Sequence, residues 1–299
     1  MTYLAVIANT KKLESGDRKR LHAAIEDAPF ATVEWLMIQK GSAAKQAAAK
    51  AVDNGADIVL VCGGDGSVRA AAEALVGTDT ALAVMPAGTA NQFAHAMSIP
   101  EDMTEILSLL TARQTRTIDT GRCNGMTFLV MAGIGFDAAL IDSADDDKER
   151  LGMVAYLRAG AKEVRERKPF PVKVEIDGDK VFDGDASCVL VANIGTLKGF
   201  EAFPDAIPTD GTLDAAVVTA SGVRDWAGLM VSAIRHRQHL SGRADLHAGK
   251  TITVRTPKKH RFELDGGVKG ETKKLEFEIV PSSLIVCAPA ESAATAVAS

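Results

Sequence analysis

A chain of 299 residues with 46% hydrophobic and 24% charged content has the make-up of an ordinary globular protein and the length for roughly two cores. A formal net charge of −5 excludes the strongly basic proteins that grip phosphate backbones, so nucleic acid is not an expected partner. Four widely spaced cysteines, Cys62, Cys123, Cys188 and Cys287, form no C-x-x-C pair, which favours buried free thiols in a reducing cytoplasm over disulfides or zinc ligands.

In chain order, apolar strand signals at residues 3–8, 32–38, 57–62 and 81–85 alternate with helical signals at 17–27, 43–54, 68–75 and 103–110. That alternation predicts a parallel α/β sheet. Gly55 stands where a helix-ending C′ residue belongs. From Arg116 the pattern changes to short strands at 173–176, 180–182, 187–193, 213–219, 250–255, 261–264 and 274–279, joined by Gly, Asp and Pro turns. This predicts an antiparallel, sandwich-like or barrel-like second domain. Two helical passages, 148–167 and 223–240, interrupt it, and the Ala/Ser-rich tail at 290–299 is expected to be disordered. The organisation expected is an α/β nucleotide-binding domain over 1–118 and a β-rich domain over 119–282, with a ligand cleft between them. The apolar stretch at 4–8 is too short for a signal peptide, and no run approaches the ~18 apolar residues of a spanning helix, so a cytoplasmic location is expected.

The chemistry concentrates at two turns. The strand at 57–62 runs into Gly63-Gly64-Asp65-Gly66-Ser67 and then into a helix, which brings backbone N–H groups and a helix N-terminus to a point where a polyphosphate could lie. Glycine lets the phosphate approach the backbone and permits positive φ. A plain β-to-α turn with Asp65 as N-cap gives the same string. About twenty residues on, the strand at 81–86 ends in Ala87-Gly88-Thr89-Ala90-Asn91, with Thr89 or Asn91 opening a helix. In a parallel sheet the carboxyl ends of the strands face one crevice, so both turns are expected to face one ligand. The sequence holds no G-x-x-x-x-G-K-[ST] string, which excludes a P-loop NTPase.

Gly63-Gly64-Asp65-Gly66-Ser67, Pro86-Ala87-Gly88-Thr89-Ala90-Asn91-Gln92-Phe93-Ala94 and Leu264-Asp265-Gly266 resemble the three landmarks of the diacylglycerol kinase catalytic family, which includes bacterial lipid kinases and sphingosine kinases. The GGDG string also occurs in the wider superfamily with NAD kinases and phosphofructokinases. Ile118-Asp119-Thr120-Gly121, the segments 132–137 and 151–156, Val191-Ala192-Asn193 and the segment 204–214 follow in the family's order. The resemblance implies ATP-dependent phosphorylation of a hydroxyl on diacylglycerol or a related lipid. Nucleotide would sit on the first domain, the acceptor would come from the second, and the segment 283–289 would return to the first. The implied nucleotide contacts are Gly63, Gly64, Asp65, Gly66, Ser67, Val68, Arg69, Gly88 and Thr89, with Asn91 lining the same wall. Asp65 would carry Mg²⁺ directly or through water, or assist the acceptor. A structural Mg²⁺ or Ca²⁺ is implied on the Asp210 carboxylate with the Ile207 and Thr212 carbonyls; a type I turn opened by Asp has the same spacing.

Several positions depart from the family. The bacterial lipid kinases read Asp-Gly-Glu at the third landmark, with the glutamate as proton acceptor, whereas this chain reads Asp265-Gly266-Gly267. The base would then be Asp265 itself, Asp65, or Glu271 on a slightly longer turn. The first strand leads into Asn9-Thr10-Lys11-Lys12 rather than Asn-Pro-x-Ser-Gly, Met37 stands at a nucleotide-touching threonine, and Arg69-Ala70 replaces an Asn-Glu pair. A second reading is therefore a catalytically impaired lipid-binding or nucleotide-binding relative, and a third is an NAD kinase. Gly133-Ile134-Gly135-Phe136-Asp137-Ala138 formally fits G-x-G-x-x-G/A, but it lies in the β-rich half, and Asp145 to Asp147 come too soon for the ribose carboxylate expected about 20 residues on. His236 and His239 lack zinc-helix spacing. The basic clusters at 235–239 with Arg243, and at Lys258-Lys259-His260-Arg261, are solvated surface by default; the alternative is a face that meets an anionic bilayer carrying the lipid. Whether the chain forms a homodimer is left open by the sequence.

Overall fold

A computed structural model describes residues 2–135, 169–197, 200–201, 203–221, 225 and 243–290. The expected helices at 148–167 and 223–240, the motif at 151–156, the basic cluster at 235–239 and the tail after 290 lie outside the described residues.

The first half alternates β1 (Thr2–Asn9), α1 (Ser15–Glu26), β2 (Phe30–Ile38), α2 (Ala44–Asp53), β3 (Ile58–Gly63), α3 (Asp65–Leu75), β4 (Ala81–Pro86), α4 (Gln92–Ala96) and α5 (Met103–Thr111). β5 (Thr115–Cys123), β6 (Met126–Phe128), β7 (Met131–Ile134), β8 (Phe170–Ile176), β9 (Asp179–Ala186), β10 (Cys188–Ala192), β11 (Thr196–Leu197), β12 (Phe200–Glu201), β13 (Leu213–Val218), β14 (Ala244–Gly249), β15 (Thr251–Leu264) and β16 (Gly267–Cys287) follow. Contacts divide the chain into two compact units, Met1–Asp119 with Pro281–Ser299, and Thr120–Val280.

In the first unit β2, β1, β3 and β4 are parallel neighbours in that order, and the end of β16 joins β4 in parallel through Val286 and Leu82. The strands are near-continuous apolar runs because helices cover both faces. Leu4, Val6, Ala8, Leu60 and Ala83 form one core with Leu21, Ile25, Ile106 and Leu110. α2 ends where Gly55 takes φ +82° after the C-cap Asn54. Asp102 caps α5, accepting hydrogen bonds from the Thr104 and Glu105 N–H groups at 2.8 and 3.1 Å.

The second unit is a two-layer antiparallel sandwich. One layer runs β14, β13, β10, β7 to the end of β15; the other runs β9, β8 to the start of β15. β16 pairs along β15 in both layers, and Val172, Val174, Ile252, Val189, Val217, Phe262 and Leu275 share the buried core. β15 therefore turns the corner from one layer to the other, as strands that switch sheets do. The sequence signals at 250–255 and 261–264 belong to this one strand, and that at 274–279, together with the first part of the returning segment 283–289, belongs to β16. Three tight hairpins carry Asx-Gly at consecutive positive φ: Asn124-Gly125 (47°, 80°), Asp177-Gly178 (50°, 91°) and Asp265-Gly266 (47°, 74°). This is the type I′ geometry that matches strand twist.

Candidate functional site

β3 ends at Gly63, Gly64 is the N-cap, and α3 begins at Asp65, three residues earlier than the sequence pattern predicts. Glycine at residues 63 and 64 has a steric reason. A Cβ on Gly63 would lie 2.9 Å from the Ser67 side chain, and one on Gly64 would lie 3.0 Å from the Cα of Gly88. From the other side, a Cβ on Gly88 would meet the Gly64 Cα at 2.6 Å and the Asn91 Oδ1 at 2.8 Å. The two glycine turns touch backbone to backbone.

Hydrogen bonds lock this contact. The Ala87 N–H donates to the Gly63 carbonyl at 3.1 Å, and the Phe93 N–H donates to the Asp65 Oδ1 at 3.2 Å. Asn91, at φ 44°, closes its own turn: its Oδ1 accepts from the Gly88 N–H at 2.8 Å and its Nδ2 donates to the Gly88 carbonyl at 3.1 Å. Asn91 is thus a turn-closing residue, and Thr89 at the same turn is exposed. Two further strand ends join them. The Asn9 Nδ2 donates to the Ser67 Oγ at 3.3 Å, both residues being buried, and a Cβ on Gly41 would stand 3.1 Å from the same Oγ.

The open donors here are fewer than the sequence suggests. The Ser67 and Val68 N–H groups both donate to the Gly64 carbonyl, at 2.8 and 3.1 Å. Asp65 and Gly66 carry first-turn N–H groups with no carbonyl partner inside the helix, and that of Asp65 meets its own carboxylate, which leaves the Gly66 N–H as the free-standing donor of the pair. They face the end of the strands where anionic ligands gather on such sheets. Asp65 is the one acidic residue on the two turns. Burial pushes its carboxyl above the ordinary value, opposed by N–H bonds from Phe93, its own amide and Gln92 and by the nearby His95. Arg69 is largely buried and reaches Glu73 at 3.7 Å, while Lys45 holds the same Glu73 at 2.8 Å, so it is not the exposed helix arginine of the sequence reading. Met37 is 47% exposed on β2.

In the second unit, Asp265 is buried at the β15–β16 hairpin tip. Its carboxylate accepts from the Leu129, Val130 and Met131 N–H groups at 2.9, 2.8 and 3.2 Å, and its own N–H donates to the Met131 carbonyl at 2.8 Å. Asn193 holds the same segment, its Nδ2 donating to the Leu129 carbonyl at 2.9 Å and its N–H to the Val130 carbonyl at 2.9 Å. Asp265 and Asn193 therefore clamp residues 129–131 from its donor and acceptor sides, a role the motif strings did not reveal. Glu271 is not on the turn. Gly267 pairs with Leu264 directly after a two-residue loop, and Glu271 lies further along β16 opposite Arg261, 3.8 Å from its guanidinium. The dipeptide Asp-Gly fixed the shortest hairpin, which leaves no longer turn for Glu271 to occupy.

At the expected cation turn, the Asp210 Oδ1 accepts from the Thr212 N–H and hydroxyl, both at 2.9 Å. The Ile207 carbonyl accepts from the Thr209 and Asp210 N–H groups at 2.8 and 3.3 Å. Burial, then Asp210 and Asp205, push the nearby Asp214 carboxyl up to about 6. No cluster of three or more His, Cys, Asp or Glu side chains with metal-binding geometry occurs among the described residues. Gly133 is not in a phosphate turn: it lies inside β7, where a Cβ would meet the Val189 carbonyl oxygen at 2.7 Å. All four cysteines are free and buried.

A parallel sheet with two interlocked glycine turns at its carboxyl ends, followed in sequence by an antiparallel sandwich, defines the NAD kinase-like class of folds. Residues 3–123 match the family described as diacylglycerol kinase catalytic domain, and residues 130–288 match the YegS C-terminal NAD kinase beta sandwich-like domain. A diacylglycerol kinase of Bacillus subtilis is 30% identical over 76% of this chain and 75% of its own length. One of Mycobacterium tuberculosis is 32% identical over 66% of each. An uncharacterized Synechocystis protein is 32% identical over 83% of this chain, which spans 58% of that protein. The chain belongs to the diacylglycerol kinase catalytic domain family. Among solved structures, a diacylglycerol kinase of Bacillus anthracis is similar with a TM-score of 0.73 at 21% identity, covering 96% of this chain and 97% of that one. An NAD kinase of Archaeoglobus fulgidus, solved in complex with ATP, is similar with a TM-score of 0.53 at 12% identity, covering 95% and 93%. At these identities the likeness is one of fold.

Proposed function

We propose that the chain is an ATP-dependent lipid kinase that phosphorylates a hydroxyl of diacylglycerol or a related lipid. The observation that carries the reading is the contact of Gly64 with Gly88, which joins two glycine turns at the carboxyl ends of adjacent parallel strands. The first N–H groups of α3 receive phosphate oxygens, and Thr89 adds a hydroxyl to the same wall. The names of the bacterial relatives supply the acceptor class.

In the reaction, the acceptor oxygen bonds to the γ-phosphorus of ATP, the bond to the β–γ bridging oxygen breaks, and the hydroxyl proton leaves to a base. Asp65 is chemically suited to Mg²⁺, being a hard carboxylate beside the phosphate donors, and the ion would neutralise phosphate charge there. Of the three carboxylates named from the sequence, Asp265 is occupied by backbone N–H groups and Glu271 faces Arg261. Burial pushes the Asp65 carboxyl above its ordinary value, and of the three it is the one beside the phosphate donors, where it would hold Mg²⁺ or take the acceptor's proton. The cation at the Asp210 turn, peripheral contact with the bilayer and a cytoplasmic location belong to the same reading.

Gly267 favours a second reading, in which the chain binds nucleotide and lipid without transfer. Turnover with labelled ATP against acylglycerols and long-chain bases separates the two. The kinase reading predicts labelled lipid; ATP binding with no labelled lipid supports the second, and label on NAD would replace both. A Cβ on Gly267 would meet only the flexible end of Lys269, at 3.0 Å, so Gly267→Glu is sterically tolerated. If the base is what the chain lacks, this change raises kcat by about 10²–10⁴-fold.

A further inference from the structure

A strongly cationic patch lies where β15 turns its corner. Between Arg255 and His260 the β15–β16 register breaks: residues 256–259 face the single residue Lys273. Pro257 supplies no ladder N–H, and the Thr256 Oγ1 donates to the Lys258 and Lys273 carbonyls at 2.7 and 3.4 Å, which holds the bulge in shape.

Cations crowd this bend. Lys173, Arg255 and Lys274 are direct partners across β8, β15 and β16, an arrangement of like charges that destabilises a sheet. Lys258, Lys259 and Lys273 add three more on the bulge. Lys173 pairs with Asp183 at 3.4 Å and Lys274 with Glu276 at 2.6 Å; Arg255, Lys258, Lys259 and Lys273 form no ion pair with another described residue. Two positions along the strands the sign reverses, with Glu175 and Glu276 flanking Thr253. Residues 255–274 hold seven Lys and Arg against three Asp and Glu, two of which, Glu263 and Asp265, are buried, in a chain of net charge −5.

We propose that this bend is an electrostatic docking face for an anionic lipid bilayer. The proposal rests on the lipid-acceptor reading: the acceptor resides in a membrane, and no helix among the described residues is long and apolar enough to cross one. The membrane must then be met at its surface, where each lysine adds about fivefold to binding. Single-stranded nucleic acid fits less well, because it is held by stacking on exposed aromatic rings and the exposed large hydrophobics among the described residues are Met37, Ile207, Leu246 and Val268.

The test is vesicle co-sedimentation of the full chain. Wild type is expected to bind vesicles of phosphatidylcholine with about 30% phosphatidylglycerol far more tightly than pure phosphatidylcholine, with the difference shrinking as salt rises. The combined change Lys258→Gln, Lys259→Gln and Lys273→Gln should weaken binding on the order of 100-fold, while the three Lys→Arg changes retain it. Turnover on a dispersed short-chain diacylglycerol, read on the same preparations, should not change. Equal binding of wild type to both vesicle types, or full binding by the Gln variant, overturns the proposal. Tighter binding to polyglutamate or DNA than to anionic vesicles overturns it too. Docking without turnover would sink the kinase reading alone; turnover without docking would sink this proposal alone.

Discussion

Gly66→Ala separates the demands of folding from those of phosphate binding. Gly66 lies in the first turn of α3, its φ is not positive, and a Cβ there would have nothing within 4 Å. Replacing a helical glycine whose backbone suits alanine stabilises by about 0.4–1 kcal/mol, chiefly by narrowing the unfolded ensemble. For a chain of this size that raises Tm by ~1–3 °C. The open space is also where a phosphate oxygen must come close to the Asp65 and Gly66 N–H groups, and a methyl group would hold it away. The variant should therefore be more stable and yet bind ATP at least about tenfold more weakly, a loss of about 1.4 kcal/mol. Thermal unfolding and calorimetric titration on one preparation read both quantities. A stabilised variant with unchanged ATP affinity would refute the assignment of phosphate to this turn.

Gly88→Ala should behave oppositely, because its Cβ would stand 2.6 Å from the Gly64 backbone, which cannot swing aside. A loss of about 1–3 kcal/mol is expected in urea unfolding, and a variant as stable as wild type would contradict the interlocked turns. Asp265→Ala leaves the N–H groups of residues 129–131 without their acceptor and places alanine at φ 47°. It should cost about 3–5 kcal/mol, and Asp265→Asn markedly less; equal losses would deny the carboxylate its clamp role. Glu34 is held by Lys50, Tyr3 and Asn54, and the Lys50 and Tyr3 bonds lead in lowering its carboxyl from 4.5 to about 2. A folded value below the unfolded one stabilises at pH above about 4.5 and is lost as pH falls toward 2. The Tm gap between wild type and Glu34→Gln should thus narrow between pH 5 and 3, and a pH-independent gap would contradict the ion pair.

The parallel half of the fold was legible because its central strands are unbroken apolar runs bounded by glycine or helix signals, as at residues 57–67 and 81–88, although Glu34 interrupts the edge strand β2. The sandwich was legible in class and less so in its joints. Pro257 and the surrounding lysines made β15 read as two strands, since sequence cannot distinguish a bulged corner from a loop. β5 and β6 went unseen although Asn124-Gly125 is a strong hairpin signal, and β14 was hidden by its polar residues Asp245 and His247. At the site, the glycine strings were plain, but their mutual contact depends on residues 24 apart meeting in space. Asp265 and Asn193 drew attention as motif letters; their clamp on residues 129–131 could be seen only once β7 lay between β10 and β15.

If the two touching turns hold the phosphates of ATP, the first contacts fall on their backbone amides. Amide NMR during titration with Mg²⁺-ATP tests it most directly. The largest shifts are predicted at Gly64, Asp65, Gly66 and Thr89, and they should vanish with Asp65→Asn if that carboxylate organises the site. Unmoved signals at these four residues, with shifts centred on Gly133 and Gly135 instead, would contradict it.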